Sequence, residues 1–269
     1  MDDLSGRRRE IAIIRDHIQR RKSLHLYGPP GVGKSSLLEY ILARWGDIPN
    51  PPVPIYCRDS GTLREIILCI THGLLGQFKH LEGLDKYREP VELEKKNDVE
   101  DENILNLKNI ALRYLKSGDF CVILDHLEKA TPRIHSFVSA LQECSSVITA
   151  SRLAWNLGDF SIFFGSLALW HVQKLKVENL GKDDAFILMQ SLYDSLKMNT
   201  PGARGLFKDI YDISQGNPKM IETIFAKARD KKYIHHDKLN LNLIELDCRI
   251  DEVCMPGLFT ARHDMHKNK

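Results

Sequence analysis

An α/β fold with a parallel sheet and crossover helices is predicted by three observations on this 269-residue chain. Short apolar runs alternate with stretches whose apolar residues recur at helical spacing, the rhythm of strands joined by crossover helices. A glycine-rich octet, Gly28 to Ser35, stands between the first such run and a helical pattern. After Leu180 the strand-like runs give way to helical periodicity, which predicts a small helical subdomain following the sheet.

Taken in order, Ile11, Ile14 and Ile18 mark one face of an opening helix, and Leu24-His25-Leu26-Tyr27 reads as a buried strand. Behind the octet, Leu37, Leu38, Ile41, Leu42 and Trp45 recur as on a helix. Val53 to Cys57, entered through Pro51-Pro52, is a second strand. Thr62 and Glu65 form a capping box for a helix carrying Leu63, Ile66, Ile67 and Ile70. Asp85 to Asn103 is dense in charge and poor in large apolar residues, and reads as a solvated excursion or mobile loop. Ile104, Leu107, Ala111 and Leu115 define the next helix, and Phe120 to Leu124 a third strand. Thr131 and Pro132 suit the cap and first turn of a helix bearing Ile134, Phe137, Val138 and Leu141. Val147 to Ala150 is a fourth strand and His171 to Val177 a fifth. In the helical part, Ala185, Leu188, Met189, Leu192 and Leu196 form one stripe, and Leu206, Phe207, Ile210 and Tyr211 another. Asn217-Pro218 starts a helix with Met220, Ile221, Ile224, Phe225 and Ala228. From Tyr233 onward a helix (Leu239, Leu243, Leu246, Ile250) and a strand (Leu239, Leu241, Leu243) fit equally.

The octet Gly28-Pro29-Pro30-Gly31-Val32-Gly33-Lys34-Ser35 matches Gly-x-x-x-x-Gly-Lys-Ser. Glycines let such a loop fold round a phosphate chain with its N–H groups inward, the lysine reaches the β- and γ-phosphates, and the hydroxyl ligates Mg²⁺. The helix that follows aims its positive end at the same anion. Ser36 completes the candidate binding segment, and Lys34 serves the chemistry as well as the binding. A second motif, Cys121-Val122-Ile123-Leu124-Asp125, is an apolar strand ending in a carboxylate. Following a phosphate loop, that arrangement provides Asp125 to hold Mg²⁺, usually through its water shell, beside Ser35. The third, Val147 to Arg152, ends a strand in Ser151 and a guanidinium suited to bidentate contact with a γ-phosphate. The fourth, Ser214 to Lys219, ends one helix at Gly216 and starts another at Asn217, a local task that accounts for the residues by itself.

Composition excludes several classes. The 38 basic and 36 acidic residues leave a net charge of +2, which neither demands nor forbids nucleic acid. Cys57, Cys69, Cys121, Cys144, Cys248 and Cys254 include no Cys-x-x-Cys pair and read as reduced thiols. Asp2, Asp3 and Arg7 to Arg9 replace the apolar core of a signal peptide, and the most apolar stretch, Leu153 to Val172, is broken by Asn156 and Asp159. A cytoplasmic protein with no membrane partner is expected.

Together the four motifs resemble the AAA+ and STAND P-loop ATPases, and within them the branch of origin-recognition, transposition-helper and NB-ARC-type ATPases. The resemblance covers roughly residues 5 to 230. It implies a P-loop NTPase fold with a five-stranded parallel sheet of the ASCE type, followed by a helical lid. The corresponding boundaries are residues 1–178, 179–233 and a C-terminal extension at 234–269. Ser5 to Glu10 is similar to the Gly-Arg-x-x-Glu segment near the adenine, which implicates Arg7. Val147 to Arg152 resembles the sensor strand. Val177-Glu178-Asn179-Leu180 with Asp184-Ala185 is similar to the start of the lid, and Gly216-Asn217-Pro218 to the lid turn that contacts nucleotide. Lys219 falls where initiator-type relatives carry a second sensor Arg, so Pro218 and Lys219 join the implied nucleotide contacts. The implied function is an ATP-binding and hydrolysing switch that acts on a protein partner or by self-assembly, with DNA a further candidate partner.

One departure concerns catalysis. Relatives carry two adjacent acids after the magnesium strand, the second acting as base, whereas here His126 follows Asp125. Glu128 is the first candidate base and Asp59, just past the second strand, the next. A non-hydrolysing ATP-binding module and a small-molecule kinase are the competing readings. Ser151-Arg152 and Gly216-Asn217-Pro218 argue against the kinase.

Overall fold

A computed structural model describes residue 4 and residues 6–83, 91–128, 131–154, 172–195, 206–235 and 238–254. The chain forms two compact units, one of residues 10–27 and 38–176, the other of residues 1–9, 28–37 and 177–269.

The first unit is built on five parallel strands: β1 (Leu24–Tyr27), β2 (Val53–Cys57), β5 (Phe120–Leu124), β6 (Ser146–Ser151) and β7 (Gln173–Lys176), in the spatial order β2-β5-β6-β1-β7. All four pairings are parallel. The chain therefore leaves β1, passes over two positions to β2, and later returns to fill the gap with β5 and β6. The C-terminal ends of all five strands share one edge, where open α/β sheets bind their ligands.

Burial explains why the interior strand β5 reads as an unbroken apolar run. Every residue of β5 is buried, because helices cover both faces of a parallel sheet. Phe120, Val122 and Leu124 share a core with Ile66, Ile67 and Ile70 of α3 (Leu63–Phe78), Leu107 and Ile110 of α5 (Ile104–Lys116), and Phe137 of α6 (Pro132–Gln142). Cys121 and Ile123 alternate onto the opposite face. Burial pushes the Cys121 thiol up to about 12, so it stays protonated and inert. The helix starts follow the sequence reading. Thr62 and Glu65 make the capping box reciprocally, and Thr131 accepts from the Ile134 N–H ahead of Pro132.

Two expectations are corrected. Residues 85 to 103 are not simply a solvated excursion where described. β3 (Leu81–Gly83) pairs antiparallel with β4 (Val91–Leu93), α4 (Lys96–Asp101) follows, and Leu81, Leu93 and Val99 are buried in the main core. Three isolated apolar residues among charges carry no period, so only their neighbours in space reveal them. The fifth strand is shorter than 171–177, and most of the stretch Leu153 to Val172, like Leu196, lies outside the described residues.

In the second unit, α7 (Lys182–Ser195), α8 (Phe207–Ser214), α9 (Pro218–Lys227) and α10 (Leu241–Cys254) share one core. Phe207 is its hub, edge-on to Phe186, Tyr193 and Phe225 at 6.1 to 6.3 Å between centroids. The ambiguous segment past Tyr233 is helical at Leu243, Leu246 and Ile250, and the strand alternative is corrected: of Leu239, Leu241 and Leu243 only Leu239 lies in a strand. A hairpin of β8 (Ile234–His235) and β9 (Lys238–Leu239) is followed by α10, which contributes Leu241, Ile244 and Cys248 to the core shared with the preceding helices. Among the described residues no helix is long and apolar enough to cross a membrane. Cys57, Cys69, Cys121, Cys144 and Cys248 are free thiols.

The capping box at α3 predicts its own test. Thr62→Ala removes the side-chain acceptor for the Glu65 N–H and is expected to cost about 1 kcal/mol, read as a lowered midpoint in urea with an unchanged m-value.

Candidate functional site

The glycine-rich loop turns through positive φ at Gly28, Gly31 and Gly33, at 155°, 78° and 92°. α2 (Lys34–Ala43) begins immediately behind it. Each carbonyl of the loop from Gly28 to Val32 accepts a hydrogen bond from the protein. Lys34 Nζ donates to Gly28 O at 2.8 Å and Pro29 O at 3.1 Å. Asn217 Nδ2 donates to Pro30 O at 3.0 Å, and the Lys219 backbone N–H donates to Gly31 O at 3.1 Å. Arg7 Nη2 donates to Val32 O at 2.8 Å and also to Glu178 O at 2.7 Å. With its carbonyls so occupied, the loop is held in one conformation, the preorganisation that binding a phosphate chain requires.

The donors are local consequences of sequence. Pro218 fills the first position of α9, where a missing N–H costs nothing. Asn217 caps that helix, its Oδ1 accepting from the Met220 N–H at 3.2 Å, which leaves its Nδ2 for Pro30. The Lys219 N–H is one of the orphan donors of a helix start, and the Gly31 carbonyl satisfies it. Gly31 itself has no alternative. A Cβ there would lie 2.6 Å from Asn217 Oδ1 and 2.9 Å from Lys219 Cβ, at a φ that L-residues avoid. Gly216, also at positive φ, brings its backbone against the Leu180 carbonyl, and the Leu180 N–H returns a bond to Gly216 O at 2.9 Å. The Lys219 ammonium is half exposed and lies 4.0 Å from Glu222. Arg7 is 4% exposed, and Ser36 is exposed.

On the sheet, Asp125 follows β5 and is 1% exposed. Its Oδ1 accepts from the His126 N–H at 2.8 Å, and its Oδ2 from the Tyr56 hydroxyl at 3.1 Å. Burial first, then the Asp125 charge and hydrogen bond, hold the Tyr56 phenol well above its usual range, so it remains a donor. Tyr56 went unnoticed in the sequence because one aromatic in a strand is ordinary. Its significance comes from β2 lying beside β5, with Tyr56 in register with Ile123. His126 adopts φ +53° and turns its ring to solvent, 3.9 Å from Asp125 Oδ2. A buried carboxylate and a hydroxyl such as that of Ser35 are hard oxygen donors of the kind Mg²⁺ takes.

Glu128 and Arg152, read separately in the sequence, meet. Glu128 Oε2 accepts from the Arg152 N–H at 3.2 Å, and Oε1 lies 3.5 Å from Arg152 Nε. Asp59 is exposed in the bend after β2.

A parallel sheet in which one strand, β6, separates the phosphate-loop strand from the strand ending in Asp125 has the architecture of a P-loop NTPase. The chain belongs to the AAA ATPase domain family, whose model matches residues 3–155. ATP binding with hydrolysis is the activity that this membership supports. Among solved structures, the ORC1 protein of Aeropyrum pernix in complex with DNA aligns with a TM-score of 0.61 at 13% identity, over 94% of this chain and 68% of its own. A Walker-type ATPase of Pyrococcus abyssi gives 0.58 at 14% identity, over 94% and 76%. Cdc6p from Pyrobaculum aerophilum gives 0.56 at 14%, over 85% and 62%. At these identities the likeness defines the fold. No curated protein matches the chain.

Gly31→Ala is expected to lower the melting temperature and to raise amide exchange in residues 207–227, since it strains the loop and pushes Asn217 and Lys219 off their carbonyls. Gly76→Ala, where a Cβ meets nothing, is the matched control and is expected to be neutral or mildly stabilising. Equal behaviour of the two variants would refute the contact.

Proposed function

We propose that this protein is an Mg²⁺-dependent ATP switch, in which the state of the nucleotide is passed through the helical lid to a partner protein or to further copies of the chain. The observation that carries this reading is the hydrogen bonding of Asn217 and Lys219 to Pro30 and Gly31, because it ties the start of α9 to the loop that would hold the phosphates. In this scheme the N–H groups of residues 31 to 35 and the Lys34 ammonium bind the phosphate chain, with Arg7 bracing the loop from behind. The Ser35 hydroxyl and the Asp125 carboxylate, with Tyr56 holding the latter, are the oxygen donors for Mg²⁺. When bound there, the ion would supply neutralisation of the phosphate charge. Arg152 recognises the γ-phosphate. Lys219 senses the same charge from the lid, where a cation otherwise opposes the helix dipole.

Glu128 is the proposed base. Its pairing with Arg152 does not forbid either role. A partly exposed ion pair is worth roughly 0–1 kcal/mol, so an incoming phosphate that offers Arg152 a better partner would release the carboxylate to orient water. Loss of the γ-phosphate reverses the exchange and relaxes the lid, a population shift driven by differential contacts.

A non-hydrolysing ATP-binding module is the second reading, favoured by His126 at the position next to Asp125 and by the Glu128–Arg152 pair. The ORC1 structure contains DNA, and DNA is accordingly one candidate ligand to test alongside protein partners. A cytoplasmic setting belongs to the same proposal.

Lys34→Ala is expected to abolish or severely weaken ATP binding by calorimetry, since it removes the main neutralising charge on two phosphates. Equal affinities in variant and wild type would sink the assignment. Glu128→Gln is expected to leave ATP binding intact and to slow single-turnover phosphate release by roughly a hundredfold, the scale of a positioned base. If only Asp59→Asn traps ATP, the base is Asp59. If the wild type releases no phosphate under single-turnover conditions with DNA or without it, the module reading replaces the switch.

A further inference from the structure

A buried polar cluster crosses from β1 to β6, and no step described above uses it. His25 is completely buried in β1, two residues before Tyr27 and three before the phosphate loop. The parallel register sets His25 opposite Thr149 and Tyr27 opposite Ser151, so the His25 and Thr149 side chains lie on one face as direct cross-strand neighbours. His25 Nδ1 is 2.7 Å from Thr149 Oγ1, and Nε2 is 2.8 Å from the carbonyl of Leu153. The Ser151 hydroxyl donates to the same carbonyl at 2.7 Å and lies 3.5 Å from Nε2. The backbone between Ser151 and Leu153 is Arg152.

The Leu153 carbonyl fixes one proton on the ring, and the Thr149 hydroxyl can serve the other nitrogen as donor or acceptor. A carbonyl oxygen only accepts, so Nε2 carries a proton. A neutral ring then offers Nδ1 as an acceptor, and the Thr149 hydroxyl donates to it. All the polar atoms of the pair are satisfied by this arrangement, with no charge placed in the sheet. Leucine or phenylalanine in the same place would pack as well but would leave the Leu153 carbonyl without its long-range donor.

We infer that His25, as its neutral Nε2–H tautomer, is a positioning residue for Arg152: from the strand that leads into the phosphate loop it holds the turn on which the guanidinium is carried. Two donors converge on Leu153 O, one from within the turn and one from β1. The turn is thereby referenced to the phosphate-loop strand as well as to its own. This rests on the reading of Arg152 as the γ-phosphate contact, and it assigns a chemical reason for a histidine inside an otherwise apolar strand.

The test is a set of ATP and ADP affinities measured by calorimetry on the full chain. Arg152→Ala is expected to remove the preference for ATP over ADP. His25→Leu is expected to reduce that preference about tenfold with ADP affinity unchanged, and the double variant to behave as Arg152→Ala alone, since both act on one contact. His25→Gln keeps a donor near the Nε2 position and is expected to recover most of the ratio. Thr149→Val, nearly isosteric, removes the hydroxyl that bonds Nδ1 and holds the ring in place, and is expected to give a smaller loss in the same direction; it carries the comparison if His25→Leu does not fold. In the wild type the ¹⁵N spectrum of His25 is expected to show a pyrrole-type Nε2 and a pyridine-type Nδ1 at neutral pH. If Arg152→Ala leaves the ATP/ADP ratio unchanged, the reading of Arg152 fails first. If it abolishes the ratio while His25→Leu and Thr149→Val leave it intact, or Gln and Leu lose it equally, or the double variant is additive, His25 is a packing residue and the inference is overturned. A protonated ring or the Nδ1–H tautomer overturns it as well.

Discussion

A loop that offers its N–H groups to an anion must place its carbonyls elsewhere, and much of what surrounds residues 28 to 32 follows from that requirement. Water is a poor answer, because a solvated loop samples many conformations and binding a phosphate then costs the entropy of choosing one. Here each carbonyl from Gly28 to Val32 has a protein donor: Lys34, Asn217, the N–H of Lys219, or Arg7. The donors come from three separate stretches of the chain. The loop is consequently a product of the tertiary fold, although its sequence pattern is contiguous.

The arrangement also accounts for choices that look arbitrary in isolation. Asparagine at 217 is an ordinary helix cap, and serine, threonine or aspartate would cap as well. Only an amide has an oxygen for the Met220 N–H and a nitrogen to donate to Pro30 at the same time. Glycine at 31 occupies a variable position of the motif, yet the close approach of Asn217 and Lys219 excludes a Cβ there. Likewise Tyr56 and His25 are unremarkable as strand residues. Strand order brings the one to Asp125 and the other to Thr149, and each then has a buried polar atom that needs its partner.

Much of the architecture was legible in the chain. Strands β2 and β5 begin and end where their apolar runs do; β5, flanked on both sides, is buried throughout, and β2, at the sheet edge, accommodates an exposed Pro54. The capping box at Thr62, the Thr131-Pro132 start and the Asn217-Pro218 start are local devices, formed by residues within one turn, and local devices are readable locally. What resisted reading was non-local. Leu81, Leu93 and Val99 join the main core from a charged stretch because β3 and β4 pair and α4 folds back, and no period announces that. The segment after Tyr233 supports two periods because Leu239, Leu241 and Leu243 straddle the end of β9 and the start of α10, so their alternation belongs to neither element.

The sequence by itself determined the phosphate-binding octet, the parallel α/β class, and the helical character of the region after Leu180. These depend on motif spacing, side-chain periodicity and turn chemistry, all of which are expressed over a few residues. Only the tertiary structure decided that Glu128 and Arg152 pair, that Tyr56 supports Asp125, and that the start of α9 binds the loop through Pro30 and Gly31. Hydrogen bonds and ion pairs form between atoms within about 3 to 3.5 Å, and residues separated by up to 188 positions reach that distance through sheet order and helix packing alone.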